Sequence, residues 1–248
     1  MEEKKIAVLS LSGGLDSTCL LLKLLSEGYT VYAYSFDYGQ KHKVELEKLA
    51  INIEGLQKGA KLPVYHRIID LKTCFDESQS SLHQGGEEIP EGYYADENMK
   101  STVVENRNVI FASIIYGKAL SISKREDADV DIFLGIHAGD HSIYPDCRPE
   151  SREACEKAFQ ISNWGSERVH YKAPFVAIDK GEVLQQGINA MYEMNFKPSM
   201  ALNILAHTHT CYNPDAEGRA CGKCGSCTER LEAFAAKGMK DPAPYQND

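Results

Sequence analysis

A chain of 248 residues with 43% hydrophobic and 25% charged residues is long enough to close one sizeable α/β core, and its composition is neither disordered nor fibrous. A formal charge of −9 argues against a broad nucleic-acid footprint, which needs a basic surface, but leaves room for a local basic pocket around a small anion. No apolar run reaches membrane-spanning length, and the opening MEEKKIAVLSL lacks the features of a signal peptide, so no membrane partner and a cytoplasmic location are expected.

In chain order, residues 6–11 (IAVLSL) read as a short buried strand, and the apolar positions between 15 and 25 fit a helix stopped at Gly28. Residues 31–36 (VYAYSF) read as a second strand. Residues 43–59 read as a helix, with apolar positions at Val44, Leu46, Leu49, Ile53 and Leu56, and residues 64–70 (VYHRIID) as a third strand. This β-α-β-α-β order is the signature of a parallel sheet with helices on its faces. Residues 72–105 break the rhythm with a polar stretch containing Gly and Pro, either a functional loop or a loose surface excursion. A helix over 108–125, a strand over 131–136, helices over 150–162 and 180–190, and a last helix from 228 follow. The expected architecture is α/β: a Rossmann-like parallel sheet with helices on both faces. Residues 1–200 form its main domain, and residues 201–248 a small cysteine-bearing segment and terminal helix packed on it.

The first strand runs into Ser12-Gly13-Gly14-Leu15-Asp16-Ser17. A strand, a glycine turn and a helix N-terminus together make an anion site, because the helix end presents unpaired N–H groups and the positive end of its dipole. Glycines let the backbone approach the ligand, and Ser12 and Ser17 add hydroxyls. The Walker loop is excluded for want of its lysine, and the dinucleotide fingerprint for want of Gly-x-Gly-x-x-Gly. Asp16 is acidic and does not suit phosphate directly; a divalent cation such as Mg²⁺ between the two reconciles them. The plainer reading is a tight turn that merely starts a helix.

Eight cysteines divide unevenly. Cys19, Cys74, Cys147 and Cys155 are scattered, while Cys211, Cys221, Cys224 and Cys227 are spaced C-x9-C-x2-C-x2-C. In a reducing compartment such clustering reads as metal ligation rather than disulfides. Four thiolates with no open position describe a structural zinc site, one per chain. An iron–sulfur cluster is the rival, although the bacterial ferredoxin spacing fails after Cys227.

The six-residue turn resembles the PP-loop of the ATP pyrophosphatase superfamily, whose members cleave ATP between the α and β phosphates. Four further segments narrow the resemblance. They are Ser35-Phe36-Asp37-Tyr38-Gly39-Gln40-Lys41-His42 with Glu45; Asn106-Arg107-Asn108-Val109-Ile110-Phe111; Gly135-Ile136-His137 with Asp140 and Tyr144-Pro145-Asp146-Cys147-Arg148; and Thr210-Cys211-Tyr212-Asn213 leading into the cysteines. From about residue 6 to 238 the chain resembles the 7-cyano-7-deazaguanine synthase (QueC) family.

The resemblance implies a ligase of queuosine or related deazapurine biosynthesis, using Mg-ATP, 7-carboxy-7-deazaguanine and ammonia through adenylated acid and amide intermediates. It implies that Leu11, Ser12, Gly13, Gly14, Leu15, Asp16 and Ser17, with Phe36, Asp37, Tyr38 and Gln40, bind ATP. It assigns His42, Glu45, Arg107, Asn108, His137, Asp140, Tyr144, Asp146 and Arg148 to the substrate, and catalysis to Ser12, Asp16, Ser17 and Arg107. Asp146 suits the N–H donors of the amino-pyrimidinone edge, and the fork of Arg107 suits phosphate or carboxylate. Cys147 is read as a buried packing residue rather than a nucleophile, since adenylation already activates the substrate. A homodimer is expected at family level, with no nucleic acid bound. Two departures stand out: Glu105-Asn106 where the family often has Pro-Gly, and Ile143 where a glycine commonly precedes Tyr-Pro-Asp-Cys. A ligase that stops at the amide, or adenylates another acid or a tRNA base, is the alternative reading.

Overall fold

The computed structural model describes residues 4–93, 97–138 and 144–247. Five parallel strands form one sheet in the order β3-β2-β1-β4-β5: β1 (Ile6–Ser10), β2 (Thr30–Asp37), β3 (Val64–Asp70), β4 (Val130–Phe133) and β5 (Val169–Lys172). β1 lies at the centre, with Val8 opposite Tyr32 on one side and Ile132 on the other. Its IAVLS sequence is apolar almost throughout because helices cover both faces.

The period-2 alternation of the strands divides the core in two. Ala7, Leu9, Val31 and Ala33 face α1 (Leu15–Ser26), α2 (Val44–Glu54), α5 (Lys180–Glu193), α6 (Pro198–Ala206) and α7 (Gly225–Ala236). Val8, Tyr34, Phe36 and Ile132 face α3 (Arg107–Glu126), with Phe159 of α4 (Pro149–Ser162) at its margin. α1 and α5 approach closely at Gly187, where a Cβ would lie 2.5 Å from Sγ of Cys19. Ile204 and Leu205 of α6 and Phe234 of α7 are buried in the same core as β1 and α1.

The expected β-α-β-α-β opening is present. The second helix is regular to Glu54 and then widens into a π turn over Gly55–Gly59. β4 is shorter than the sequence suggests, because the chain leaves the sheet after Phe133 to enter the site. β5 and α6 were not anticipated: VHYK is too short to show a period, and PSMALNILA carries little polar contrast. α7 begins at Gly225 rather than at 228, which places Cys227 on its first turn.

The stretch over 72–105 is packed rather than loose. Leu82, Met99 and Thr102 are buried. Lys41 Nζ donates to the carbonyls of Gly86 and Glu87 at 2.9 and 2.6 Å, and Gly92 N donates to Lys223 O at 3.1 Å. The segment thus links the loop after β2 to the cysteine cluster. Among the described residues no helix is long and apolar enough to cross a membrane.

Candidate active site

The chain winds from β1 outward to β3 and then returns to β4 on the other side of β1. Ligands bind in such sheets in the crevice at the strands' carboxyl ends, where the order reverses. A cavity of about 260 Å³ opens there, between the turn after β1 and the chain after β4.

The turn after β1 is shaped by Gly13, whose φ of +95° is open to glycine and whose missing Cβ would lie 2.9 Å from the carbonyl oxygen of Glu45. Gly14 is the N-cap of α1, and no side chain caps the helix. Its free N–H groups therefore remain available to an anion. Ser12 Oγ accepts from Gly14 N at 3.1 Å and lies 3.0 Å from Ser17 Oγ, so the hydroxyls hold the turn in shape. Gly135 packs against the first turn of α1; its Cβ would lie 3.2 Å from Ser17 Cα.

Arg107 opens α3. Its Nη1 donates to the Tyr38 hydroxyl at 3.0 Å, and its guanidinium lies over the Tyr38 ring. Asn108 N donates to Asp146 Oδ2 at 3.2 Å, and Asn108 Nδ2 to Cys147 Sγ at 3.3 Å. Tyr144 is tied to the 72–105 segment by a 2.9 Å hydroxyl–hydroxyl bond with Thr102. Asn106, of the Glu105-Asn106 departure, takes φ +55° at the N-cap of α3, a conformation Asn adopts more readily than most residues other than glycine.

His42 and Glu45 lie on the loop and first turn leading into α2. Burial pushes the Glu45 carboxyl up to about 8, against the opposing pull of the Gln40 hydrogen bond and the Arg107 charge. Burial, with His209 and Arg107 nearby, pushes the His42 imidazole down to about 3. At neutral pH the pair is therefore a protonated carboxyl and a neutral ring.

The structure brings most of the expected residues together. Leu11, Ser12, Gly14, Asp16, Ser17, Phe36 and Tyr38 line the cavity, as do His42, Glu45, Arg107, Asn108, Tyr144 and Asp146. Gly13 and Leu15 shape the turn from behind. Asp37 and Gln40 are off the lining. Asp37 pairs with Lys43 at 2.8 Å, and Gln40 Nε2 donates to Phe36 O and Glu45 Oε1 while its Oε1 accepts from Tyr38 N. His137 is buried under the turn, 3.9 Å from Asp16, and Arg148 is exposed at the start of α4. Asp140 and Ile143 lie outside the described residues.

Sequence reasoning missed Lys180, Glu229 and His209. Lys180, from the first turn of α5, is buried between Asp16 at 3.4 Å and Glu229 of α7 at 2.5 Å. The turn has no lysine of its own, yet the fold delivers one beside it from 164 residues away in the chain. No local spacing signals this. Among the described residues, five buried polar atoms on the cavity lining have no hydrogen-bond partner: Asp16 Oδ1, His42 Nδ1, Asp146 Oδ1, Arg152 Nε and His209 Nε2. Such atoms gathered around one cavity mark a ligand site.

The sulfurs of Cys211, Cys221, Cys224 and Cys227 all lie within 4.8 Å of one another and are buried. The group could hold a metal ion. Cys221 and Cys227 sulfurs are 3.9 Å apart, close to the edge of about 3.8 Å expected for a tetrahedron with 2.3 Å zinc–sulfur bonds. Backbone N–H groups of Asn213 and Cys221 donate to Cys211 Sγ, and those of Lys223 and Cys224 to Cys221 Sγ. These bonds favour the thiolate form that metal ligation needs.

Comparison with known proteins bears directly on this site. The family model described as "Queuosine biosynthesis protein QueC" matches residues 6–238. The chain belongs to the QueC family. Among curated relatives, the 7-cyano-7-deazaguanine synthase of Methanoregula boonei is 42% identical, covering 97% of this chain and 99% of its own. The enzyme of that name from Marinomonas sp. is 42% identical over 99% of this chain and 100% of its own. That of Caldicellulosiruptor saccharolyticus is 40% identical over 97% and 95%. The family drawn from the sequence motifs is therefore the right one, and it is a family of enzymes.

Proposed function

We infer that the chain is an ATP-dependent ligase that converts 7-carboxy-7-deazaguanine and ammonia to 7-cyano-7-deazaguanine (preQ0). The observation that carries this reading is the near-full-length match to relatives named for that product. The cavity geometry supports it. The ATP phosphates would lie on the turn from Leu11 to Ser17, against the uncapped end of α1 and the Ser12 and Ser17 hydroxyls. Asp37 and Gln40 would act by holding the Tyr38 loop rather than by touching the nucleotide.

In the first half-reaction a carboxylate oxygen attacks the α-phosphorus. The bond to the bridging oxygen breaks, and pyrophosphate leaves with its electron pair. Ammonia nitrogen then attacks the acyl carbon, and AMP leaves to give the amide. In the second half-reaction the amide oxygen attacks the α-phosphorus of a second ATP, and pyrophosphate leaves. Departure of AMP and loss of two protons from nitrogen leave the nitrile. Arg107 would hold the carboxylate or the α-phosphate in its fork. Asp146 Oδ1, buried without a partner, would accept from the amino-pyrimidinone edge.

Mg²⁺ fits Asp16. Oδ2 faces Lys180 and His137, and Oδ1 is left without a partner to hold an ion brought with the nucleotide. Bound there, Mg²⁺ would offset the charge gathering on the leaving pyrophosphate. Zinc fits the four cysteines, where a closed shell would serve structure alone. The kinship is also the ground for expecting a cytoplasmic homodimer.

The first half-reaction tests the reading. With Mg-ATP and no ammonium, pyrophosphate release should depend on adding 7-carboxy-7-deazaguanine. Release indifferent to the acid would contradict it.

A further inference from the structure

His209 lies between α6 and the first cysteine, and its side chain has no part in the reaction as described above. It is 3% exposed and lines the cavity. Its backbone N–H donates to the carbonyl of Gly13 at 2.9 Å, which fastens it to the glycine turn before α1. Its ring is gripped from behind. Nδ1 lies 3.3 Å from Nζ of Lys48, and that ammonium also donates to the carbonyl of Gly218 at 2.6 Å. An ammonium has only donors to offer, so Nδ1 is the accepting nitrogen. Opposite a charged Lys48, the neutral ring carries its proton on Nε2. Nε2 is itself buried and has no partner at hydrogen-bond distance in the protein, although the ring also interacts with the backbone of Cys211. A buried N–H without an acceptor is unfavourable unless a ligand supplies one.

We propose that His209 is an anion-binding residue whose Nε2–H donates to an oxygen of the phosphate chain held on residues 11–17, with Lys48 bracing and polarising the ring from its other nitrogen. The contact with Gly13 fastens the backbone of His209 to the phosphate turn. Lys48 strengthens the donor through the ring, since hydrogen bonds in series polarise one another. Its positive charge therefore reaches the phosphates while its flexible ammonium stays outside the cavity, engaged with Gly218. The arrangement also gives the cysteine-bearing segment a direct hold on the nucleotide. The inference rests on the ATP reading above and deepens it.

The test is calorimetric binding of ATP and of inorganic pyrophosphate to the full, zinc-loaded chain. His209→Asn removes the donor, because its amide reaches only the Nδ1 position. His209→Gln restores a donor near Nε2. The Asn variant should bind both ligands about 10- to 100-fold more weakly, the loss of one charge-assisted hydrogen bond. The Gln variant should recover most of that affinity. Zinc content and thermal midpoint are measured alongside. An Asn variant with wild-type zinc, midpoint and affinities would overturn the assignment, as would equal losses in Asn and Gln. Should the Asn variant lose its metal, Lys48→Met decides: weaker pyrophosphate binding is expected, and unchanged binding overturns the relay. A wild-type chain that binds neither ligand would overturn the ATP reading and this inference with it. A wild-type chain that binds both, beside an Asn variant that binds equally, would overturn this inference alone.

Discussion

Gly13 combines a φ of +95° with a missing Cβ that would meet the Glu45 carbonyl at 2.9 Å and Leu49 Cβ at 3.1 Å. Gly13→Ala must strain the backbone and push the turn off α2. The expected cost is about 1–3 kcal/mol in urea unfolding, with loss of ATP binding. An Ala variant with wild-type stability would show that the turn has slack the packing does not reveal. Glu45 makes a second prediction. Its carboxyl is held at about 8 against an ordinary 4.5. A raised folded pKa gives stability that is complete below the lower value and lost as pH climbs through the higher one. Wild type should therefore lose stability relative to Glu45→Gln between about pH 4.5 and about pH 8. Parallel unfolding curves across that window would contradict the burial argument. At this scale the contiguous motifs were legible, because Ser12 to Ser17 and the four cysteines carry their geometry in their spacing. Lys180, Glu229 and His209 were not. Each is a single residue in a segment whose partner lies far off in the chain, and only the fold shows that they meet at the turn. Asp37 and Gln40 show the converse: a residue inside a recognisable motif can shape a loop without touching the cavity.

The element that ties the site together is α7. It carries Cys227 of the metal group, Glu229 against Lys180, and Arg230, whose side chain is 2% exposed. Arg230 forms a two-pronged ion pair with Asp241 at 2.6 and 2.9 Å, and it also donates to Thr208 Oγ1 and to Leu205 O. Tyr245 OH closes on the same carboxylate at 2.7 Å. One guanidinium therefore joins the C-terminal tail, the end of α6 and the strand of chain leading to His209. Removing it while leaving Asp241 strands a buried charge. Arg230→Met should cost about 3–5 kcal/mol in denaturant unfolding; a loss below about 1 kcal/mol, typical of a surface pair, would contradict the account. The regular elements followed from apolar periodicity wherever the period had room to repeat, as in α1, α2 and α3. β5, with four residues, and α6, with nine mostly apolar ones, lacked that room. The 72–105 segment has no period at all, and its order comes from bonds to Lys41, Lys223 and Tyr144 that no local pattern announces.

At the scale of the whole molecule, the sheet order places β1 and β4 side by side, and the chain after each supplies one wall of the cavity. The rest of the lining comes from the loop after β2, the start of α3 and the segment that bears the cysteines. The cysteine group is tied to the turn after β1, because His209, bonded to Gly13, and Glu229, bonded to Lys180, stand within two residues of Cys211 and Cys227. Chelation of the zinc-loaded chain should lower the thermal midpoint and weaken ATP binding together. A chelated chain that keeps wild-type ATP affinity would separate the two sites. The fold class was open to sequence reasoning because parallel sheets need buried, nearly continuous apolar strands, and those are conspicuous. The most direct test of the central claim is mass spectrometry of a reaction holding the chain, Mg-ATP, ammonium and 7-carboxy-7-deazaguanine. The account predicts 7-cyano-7-deazaguanine, with two AMP formed for each nitrile. The amide as the only product would leave the first adenylation standing and contradict the second. No AMP and no product, from folded and zinc-loaded protein, would contradict the assignment as a whole.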